Sequence, residues 1–351
     1  MKTGWISPET SCRIANLGFV CTLLVIVIHI RNVPQEVGSL PWLTHFVVRN
    51  VFASVAVPFF FIVSGCFLGR HVGEPGWWRR ALVQRMRTLG IPWLVWCLVP
   101  FLAFSVFWTA GDAGGECARV ALKPSSVAAA FGLNFFTSPE ANRPLWYLRE
   151  LLVFALISPL LMRLLERFRL WALAAFATIY LMVNPGTLDF PGFWLSLRWQ
   201  IFWVFGFSVE GLVYFSLGLY LSRHPVRLPR RTGFLLGAFG LALGLVGLAL
   251  CAKGVRGWSY CISVSVPATL GFLWTLTPTT RWSGHLVGNA FAIYVMHAPL
   301  IRTIHLLGLV PAGPFAAPLE WALVTLAAGT LAWAVRRFLP KSLVDLCFGG
   351  R

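Results

Sequence analysis

The chain has 351 residues, of which 58% are hydrophobic and 12% charged, and its mean hydropathy is +0.74. A soluble domain carries about 25% charged residues because its surface faces water. This composition therefore excludes a soluble globular fold and predicts that lipid covers most of the protein. The net charge of +17 lies in short clusters between apolar runs rather than on one face, which argues against nucleic acid as a partner.

The first apolar run covers residues 14–31 and follows a short polar N-terminus. A cleaved signal peptide would show a small-residue cleavage site after its apolar region. Here the run ends in His29-Ile30-Arg31-Asn32, which offers no such site. We therefore expect it to be retained as the first membrane span.

Further apolar runs follow, each a candidate for a span of roughly 20 mostly apolar residues. They lie near residues 47–69, 89–109, 145–165, 170–185, 199–221, 233–252, 258–277, 286–308 and 316–336. The expected fold class is an all-α polytopic membrane protein with about ten transmembrane helices. The longest connection, about 110–143, is too short for a separate soluble domain. We therefore expect a single membrane-embedded domain over 1–340 and a short cytoplasmic tail over 341–351.

The distribution of Lys and Arg predicts the orientation of these spans. If the N-terminus is cytoplasmic, most of the 29 Lys and Arg fall in inner segments and in the tail. The positive-inside rule requires such an excess on the cytoplasmic side. Both termini are therefore expected to be cytoplasmic. The eight cysteines show no metal-type spacing, so the sequence predicts no metal site.

Ionisable residues at membrane depth each require an explanation, because they cost several kcal/mol there. His29 ends the first span, and its imidazole suits the role of a base, a donor or a ligand. An interfacial histidine that reaches water is the alternative. His297, in the ninth span, lies two residues before Pro299, and a structural role for that pair is as reasonable as a chemical one.

A second group of charged residues lies on the fourth and sixth spans. Arg149 and Glu150 open the fourth span, and Glu210 lies within the sixth. A carboxylate at this depth is expected to face a partner or a water-filled cavity. Structural pairing with an arginine explains Glu210 equally well, and Arg149 and Glu150 also suit the headgroup region.

Arg85 and Arg87 belong to a basic inner segment that precedes Pro92. Such clusters hold the anionic heads of membrane lipids. The planar fork of arginine also pairs bidentately with phosphate, so a phosphorylated ligand is the second interpretation. No Gly-rich phosphate loop, H-E-x-x-H or nucleophile elbow accompanies this segment.

Six segments in chain order together resemble the acyltransferase-3 family of membrane acyltransferases. They are IANLGFVCTLLVIVIH at 14–29, VPFFFIVSGCFL at 57–68, RMRTLGIPW at 85–93, PLWYLRELL at 144–152, YFSLGLYL at 214–221 and AIYVMHAPL at 292–300. Each segment is weak alone, but the set covers nearly the whole chain. One position departs from the pattern: the family commonly carries a basic residue eleven positions before the histidine, and here that residue is Gly18. Arg13 and Arg31 are the nearest basic residues, and neither has the expected spacing.

The resemblance implies transfer of an acyl group, most often acetyl from acetyl-CoA, to a hydroxyl of a carbohydrate or lipid-linked glycan. It implies a protein of the bacterial inner membrane with no permanently bound cofactor. His29 is the expected catalytic residue. Arg85 and Arg87 are expected to bind the CoA phosphates.

The acceptor is expected to contact residues of the fourth and sixth spans, namely Trp146, Tyr147, Arg149, Glu150 and Glu210. Trp146 and Tyr147 suit an interfacial aromatic belt equally well. Ser64-Gly65 is expected to permit close helix packing rather than to supply a nucleophile. A transporter or flippase for a small or lipid-linked solute is the main alternative function. A sensory or structural descendant of the enzymes is another, which Gly18 keeps open.

Overall fold

The computed structural model describes residues 7–108, 142–183, 207–282 and 284–350, and every regular element within them is helical. The expected all-α class is therefore confirmed for this part of the chain. Most of the predicted outer loop at 110–143 lies outside the described residues. So do the end of the predicted fifth span and the start of the sixth.

The helices follow one another along the chain with short connections. They are α1 (Pro8–His29), α2 (Leu40–Phe46), α3 (Ala56–Gly69), α4 (Trp77–Arg85), α5 (Ile91–Trp108), α6 (Trp146–Phe168), α7 (Leu170–Val183), α8 (Val209–Arg223), α9 (Arg230–Ala252), α10 (Trp258–Leu276), α11 (Gly284–Val287), α12 (Ala290–Leu306), α13 (Ala316–Phe338) and α14 (Lys341–Phe348).

Two of the long helical segments contain a π-helical turn. Val47–Phe52 lies between α2 and α3, followed by the 3-10 turn Ala53–Val55, and Met86–Gly90 lies between α4 and α5. π-helical turns inside longer helices occur frequently at functional sites. Here they carry Arg49 and Arg87.

Among the described residues, six helical segments are long and apolar enough to cross a membrane. They are Pro8–His29, Leu40–Gly69, Trp77–Ala103, Arg230–Ala252, Trp258–Leu276 and Ala316–Phe338. A helix also overlaps each of the other predicted spans, but α7 and α12 are shorter, and α6 carries several charges. The protein is thus an integral membrane protein by its helices, while the count of ten stays a prediction.

The contacts at the two ends of α1 define two ends of the helix bundle. At the start of α1, Arg13 donates to the carbonyl of Trp274 and Asn16 donates to the carbonyls of Pro278 and Thr280. At its end, the backbone N–H groups of Arg31 and Asn32 reach the carboxylate of Glu320 on α13. We name these the Arg13 end and the Glu320 end. Which end faces the cytoplasm stays a prediction.

Close contact between α3 and α8 fixes the centre of the bundle. A Cβ atom at Gly65 would overlap the carbonyl of Phe215, and one at Gly218 would overlap the carbonyl of Ile62. Small residues allow helix backbones to approach in this way in membrane proteins. The geometry therefore fits the expected packing role of Ser64-Gly65.

The predicted cytoplasmic tail contains α14, which packs against α5. The indole N–H of Trp96 donates to the carbonyl of Cys347 at 2.9 Å, and the ring of Phe348 stacks on Trp96 with centroids 6.0 Å apart. Phe348 is fully buried. The segment that follows α1–α13 is thus anchored at the Arg13 end, and its Gly349 presses against Thr88.

Candidate active site

The imidazole rings of His29 and His297 face each other across the contact between α1 and α12. Their centroids are 5.2 Å apart and their planes are tilted by 41°. His29 is half-buried, whereas His297 is fully buried. The structure thus joins the predicted catalytic histidine to a second histidine from the far end of the sequence.

The hydrogen bond of His297 identifies which ring nitrogen carries the proton. Its Nδ1 bonds to the backbone carbonyl of Tyr294 one turn earlier. A carbonyl oxygen only accepts, so Nδ1 is the donor and Nε2 of the neutral ring holds a free lone pair. Within the part of the chain that the structure describes, this buried Nε2 has no hydrogen-bond partner. His297 therefore presents an unused acceptor beside His29.

Tyr294 separates the two histidines from a cavity. Its hydroxyl donates to the carbonyl of Pro144, and its ring lies 5.9 Å from that of His297 and 6.1 Å from that of Tyr147. Both tyrosines line the cavity. Tyr294 therefore lies between the cavity and His297, and Tyr147 packs beside it.

The cavity has a volume of about 650 Å³ and lies toward the Arg13 end of the bundle. Its basic lining residues are the cations Arg70 and Arg85 together with His71, and no carboxylate lines it among the described residues. Apolar side chains and the small residues Gly18, Gly349 and Gly350 form most of the remainder. This cavity suits a ligand that has an anionic group at one end and an apolar or narrow chain at the other.

Arg85 is the most enclosed of these cations. Its Nη2 donates to the carbonyl of Ser64 at 3.1 Å, and the rest of its guanidinium faces the cavity side of α4. Arg87 differs: it is exposed and lines a separate surface groove with Arg79 and Arg80. The structure thus places only Arg85 of the two predicted phosphate-binding residues in the cavity.

Gly18 opens space where the family carries a basic side chain. It lines the cavity, and a Cβ atom there would meet Phe59 and Phe60 at ordinary contact distances of 3.7 and 3.9 Å. Arg13 does not replace the missing charge, since it lies over the ring of Trp274 and outside the cavity lining. The cavity is wider here than it would be with an arginine.

The cavity lining does not include His29 or His297. On α1 it ends at Thr22, which precedes His29 by about 10 Å at 1.5 Å per residue. On α12 it ends at Tyr294, one turn before His297. The histidine pair therefore lies just beyond the cavity on its Glu320 side.

The predicted acceptor-binding residues divide into two groups. Tyr147 lines the cavity, and the ring of Trp146 packs edge-on against it with centroids 6.3 Å apart. Glu150 is fully buried and accepts from the hydroxyl of Ser208 at 2.8 Å. Arg149 and Glu210 lie close enough for their charges to act on Glu150. These three charged residues form one cluster outside the cavity lining.

Glu320 belongs to no motif that would mark it in the sequence. It is fully buried on α13, and its carboxylate accepts from the N–H of Arg31 at 3.1 Å, the N–H of Asn32 at 2.8 Å and the side-chain amide of Asn32 at 2.9 Å. These donors follow directly after His29. Glu320 therefore fixes the chain at the end of α1.

Comparison with known proteins gives two matches. The family model described as an acyltransferase domain matches residues 17–337. The succinoglycan biosynthesis protein ExoH of Rhizobium meliloti (strain 1021) is 27% identical over 258 residues, which cover 68% of this chain. The chain spans 64% of the length of that relative. No solved structure gives a significant match.

Proposed function

The chain belongs to the acyltransferase-3 family, and from that premise we propose that it transfers an acyl group from acyl-CoA to a hydroxyl of a polysaccharide or lipid-linked glycan. The observation that carries the proposal is the His29–His297 pair just beyond a cavity that is lined by arginine and, in the described part of the chain, by no carboxylate. The family supports the acyltransferase activity itself. The donor, the acceptor and the acyl group, for which we propose acetyl, follow from the resemblance to the family and from the relative, and the cavity is consistent with them.

The donor enters from the Arg13 end in this proposal. Arg85 and Arg70 bind the phosphates of CoA, because a guanidinium pairs with phosphate through two parallel hydrogen bonds. The narrow chain of CoA that carries the acyl group passes Gly18, where no side chain narrows the cavity, and reaches the rings of Tyr147 and Tyr294. A shift of the Tyr294 ring then admits the thioester to the histidines.

His29 acts as the general base. It is the more exposed of the two rings, so the acceptor hydroxyl reaches it first. The imidazole takes the hydroxyl proton, and the oxygen attacks the thioester carbonyl. The tetrahedral intermediate then expels the CoA thiolate, which takes that proton from the imidazolium. The products are an acyl ester and CoA.

His297 positions His29 and stabilises its charged form. Its free Nε2 accepts from the N–H of His29 when the two rings close on each other. Catalytic hydrogen bonds are often long in a ligand-free site and shorten in the complex. The bond between Nδ1 of His297 and the Tyr294 carbonyl fixes this tautomer, as in histidine sites where a second group orients the base.

A polysaccharide acceptor has support from the relative, whose name assigns it to succinoglycan biosynthesis. Placement in the bacterial inner membrane fits the same proposal, since acyl-CoA is cytoplasmic and surface glycans are displayed on the other side. With the Arg13 end in the cytoplasm, acyl-CoA reaches the cavity from the cytoplasm and the glycan reaches His29 from the other side of the membrane.

Labelled acetate supplied to growing cells tests the proposal. Cells with the wild-type protein are expected to carry labelled O-acyl groups on an envelope glycan, and cells with His29→Ala are expected to lack them at equal protein abundance. Unchanged label in cells that lack the protein would contradict the proposal. Glycan export that fails without any change in acylation would favour the transporter alternative.

A further inference from the structure

Arg49 lies beside His29 at the end of the bundle opposite the donor cavity. It belongs to the π-helical turn Val47–Phe52, which packs against α1. Its positive charge acts on His29 and also on His45, one turn earlier on α2. Arg49 is half-buried. Its place on the π-helical turn therefore brings a guanidinium next to the proposed base.

The guanidinium of Arg49 has no partner of its own among the described residues. No hydrogen bond or ion pair reaches it there, whereas Arg31 and Arg302 both have partners. The buried carboxylate of Glu320 already accepts from Arg31 and Asn32. The fork of Arg49 is thus available to a ligand.

His45 adds a second unused polar group near Arg49. It precedes Arg49 by four residues, and the charge of Arg49 acts on it. Its Nε2 is buried and has no hydrogen-bond partner in the described part of the protein. Arg49, whose charge acts on both histidines, thus has His29 on one helix and the unused imidazole nitrogen of His45 as neighbours.

Arg49 lies in the apolar helical segment Leu40–Gly69, and arginines in such segments pair with an opposite charge or mark a substrate path. The flat guanidinium matches carboxylate and phosphate through two parallel hydrogen bonds. We propose that Arg49, assisted by His45, binds an anionic group of the acceptor, a carboxylate or a phosphate, and thereby holds the neighbouring hydroxyl at His29. This inference rests on the proposed function, because it takes His29 as the base. It adds that the acceptor is acidic.

Binding to three probes tests the inference without any turnover. The purified full-length protein in lipid nanodiscs is titrated with methyl glucuronide, glucose 1-phosphate and the neutral methyl glucoside. The wild type is expected to bind one or both charged probes at least about tenfold more tightly than the neutral one, as a charge-assisted bidentate contact requires. The two charged probes separate a carboxylate from a phosphate ligand.

Variants assign the preference to this residue. Arg49→Ala is expected to remove the difference between charged and neutral probes, and Arg49→Lys to keep part of it. Lys253→Ala is the control, because Lys253 is an exposed cation in the loop after α9 and should leave the preference unchanged. Equal binding of all three probes by the wild type, no binding of the charged probes, or a preserved preference in Arg49→Ala would overturn the inference.

The same design separates this inference from the proposed function. A charge preference that depends on Arg49, in a protein that transfers no acyl group, would leave the anion site standing and remove the acyltransferase mechanism. Acyl transfer by a protein that shows no charge preference would leave the acyltransferase mechanism standing and remove the anion site. An equal loss of rate on charged and neutral acceptors in Arg49→Ala would assign Arg49 to the reacting oxygen and overturn the acceptor site.

Discussion

The rings of His29 and His297 lie 5.2 Å apart, although one ends α1 and the other lies in the middle of α12. Nδ1 of His297 is held by the carbonyl of Tyr294, which leaves Nε2 free toward the interior of the site. Two imidazoles in this arrangement divide the work of one base. In the proposed mechanism, His29 meets the acceptor and His297 orients His29.

Replacement of His29 by Ala or Gln is expected to lower acyl transfer by about 10²–10⁴-fold, the usual contribution of a positioned base. Acyl-CoA consumption by purified protein measures the rate. His305→Ala is the matched control, because His305 is an exposed histidine on α12. A His29→Ala protein with the wild-type rate would remove His29 from the mechanism.

His297→Gln is expected to lower kcat strongly while the KM for acyl-CoA stays near the wild-type value. The reason is that His297 acts on the base and does not line the donor cavity. The double variant with His29→Ala should be no slower than His29→Ala alone, because residues that act as a unit are not additive. Additive losses would show that the two histidines act independently.

Arg85→Ala is expected to raise the KM for acyl-CoA by about tenfold or more, since a charge-assisted contact with phosphate is lost. Arg87→Ala is expected to change it by less than about fivefold, because an exposed charge contributes at most about 1 kcal/mol. Donor titrations of both variants measure the difference. Equal effects of the two substitutions would argue against the cavity as the donor site.

Glu320→Ala is expected to lower both thermal stability and kcat. It removes the acceptor for the part-buried N–H groups of Arg31 and Asn32, and an unsatisfied donor costs at most about 1–3 kcal/mol. Glu320→Gln keeps one acceptor oxygen and should be intermediate. Glu166→Gln on α6 is the exposed control. A stable Glu320→Ala protein with the wild-type kcat would show that the end of α1 is held by other contacts.

Gly65→Ala is expected to destabilise the protein severely or to prevent its assembly, because the added Cβ overlaps the backbone of α8. Gly329→Ala on α13 is the control, since nothing lies within 4 Å of a Cβ there. Because glycine destabilises a helix interior relative to alanine, Gly329→Ala should stabilise the protein by roughly 0.5–1 kcal/mol. Thermal unfolding in detergent compares the two. A Gly65→Ala protein as stable as Gly329→Ala would contradict the close α3–α8 contact.

The sequence predicted the helices well because apolar length and charge placement are local properties. A helix overlaps every predicted span among the described residues, and α1 begins at a Ser7 cap before Pro8, as helix-start chemistry requires. The motif that ends in His29 also identified the residue around which the site is built. These features depend on short stretches of chain.

The remaining parts of the site depend on contacts between distant helices. The sequence marks His297 as an ionisable residue at membrane depth, but its contact with His29 requires α1 and α12 to be neighbours. Glu320 shows no motif, and only its hydrogen bonds to the chain after His29 identify it. Arg85 and Arg87 are two residues apart and so point to different sides of the helix, but which of them points into a cavity depends on the helices packed around it.

The central claim is that the histidine pair catalyses the transfer of an acyl group from acyl-CoA to a glycan hydroxyl. The most direct test uses purified protein reconstituted in lipid vesicles. Acetyl-CoA labelled in its acetyl group is supplied on the side of the Arg13 end, and envelope glycan is supplied on the other side. The account predicts labelled glycan with the wild type and background label with His29→Ala, at equal protein content. Label that reaches the glycan equally with both proteins, or remains on CoA with the wild type, would contradict it.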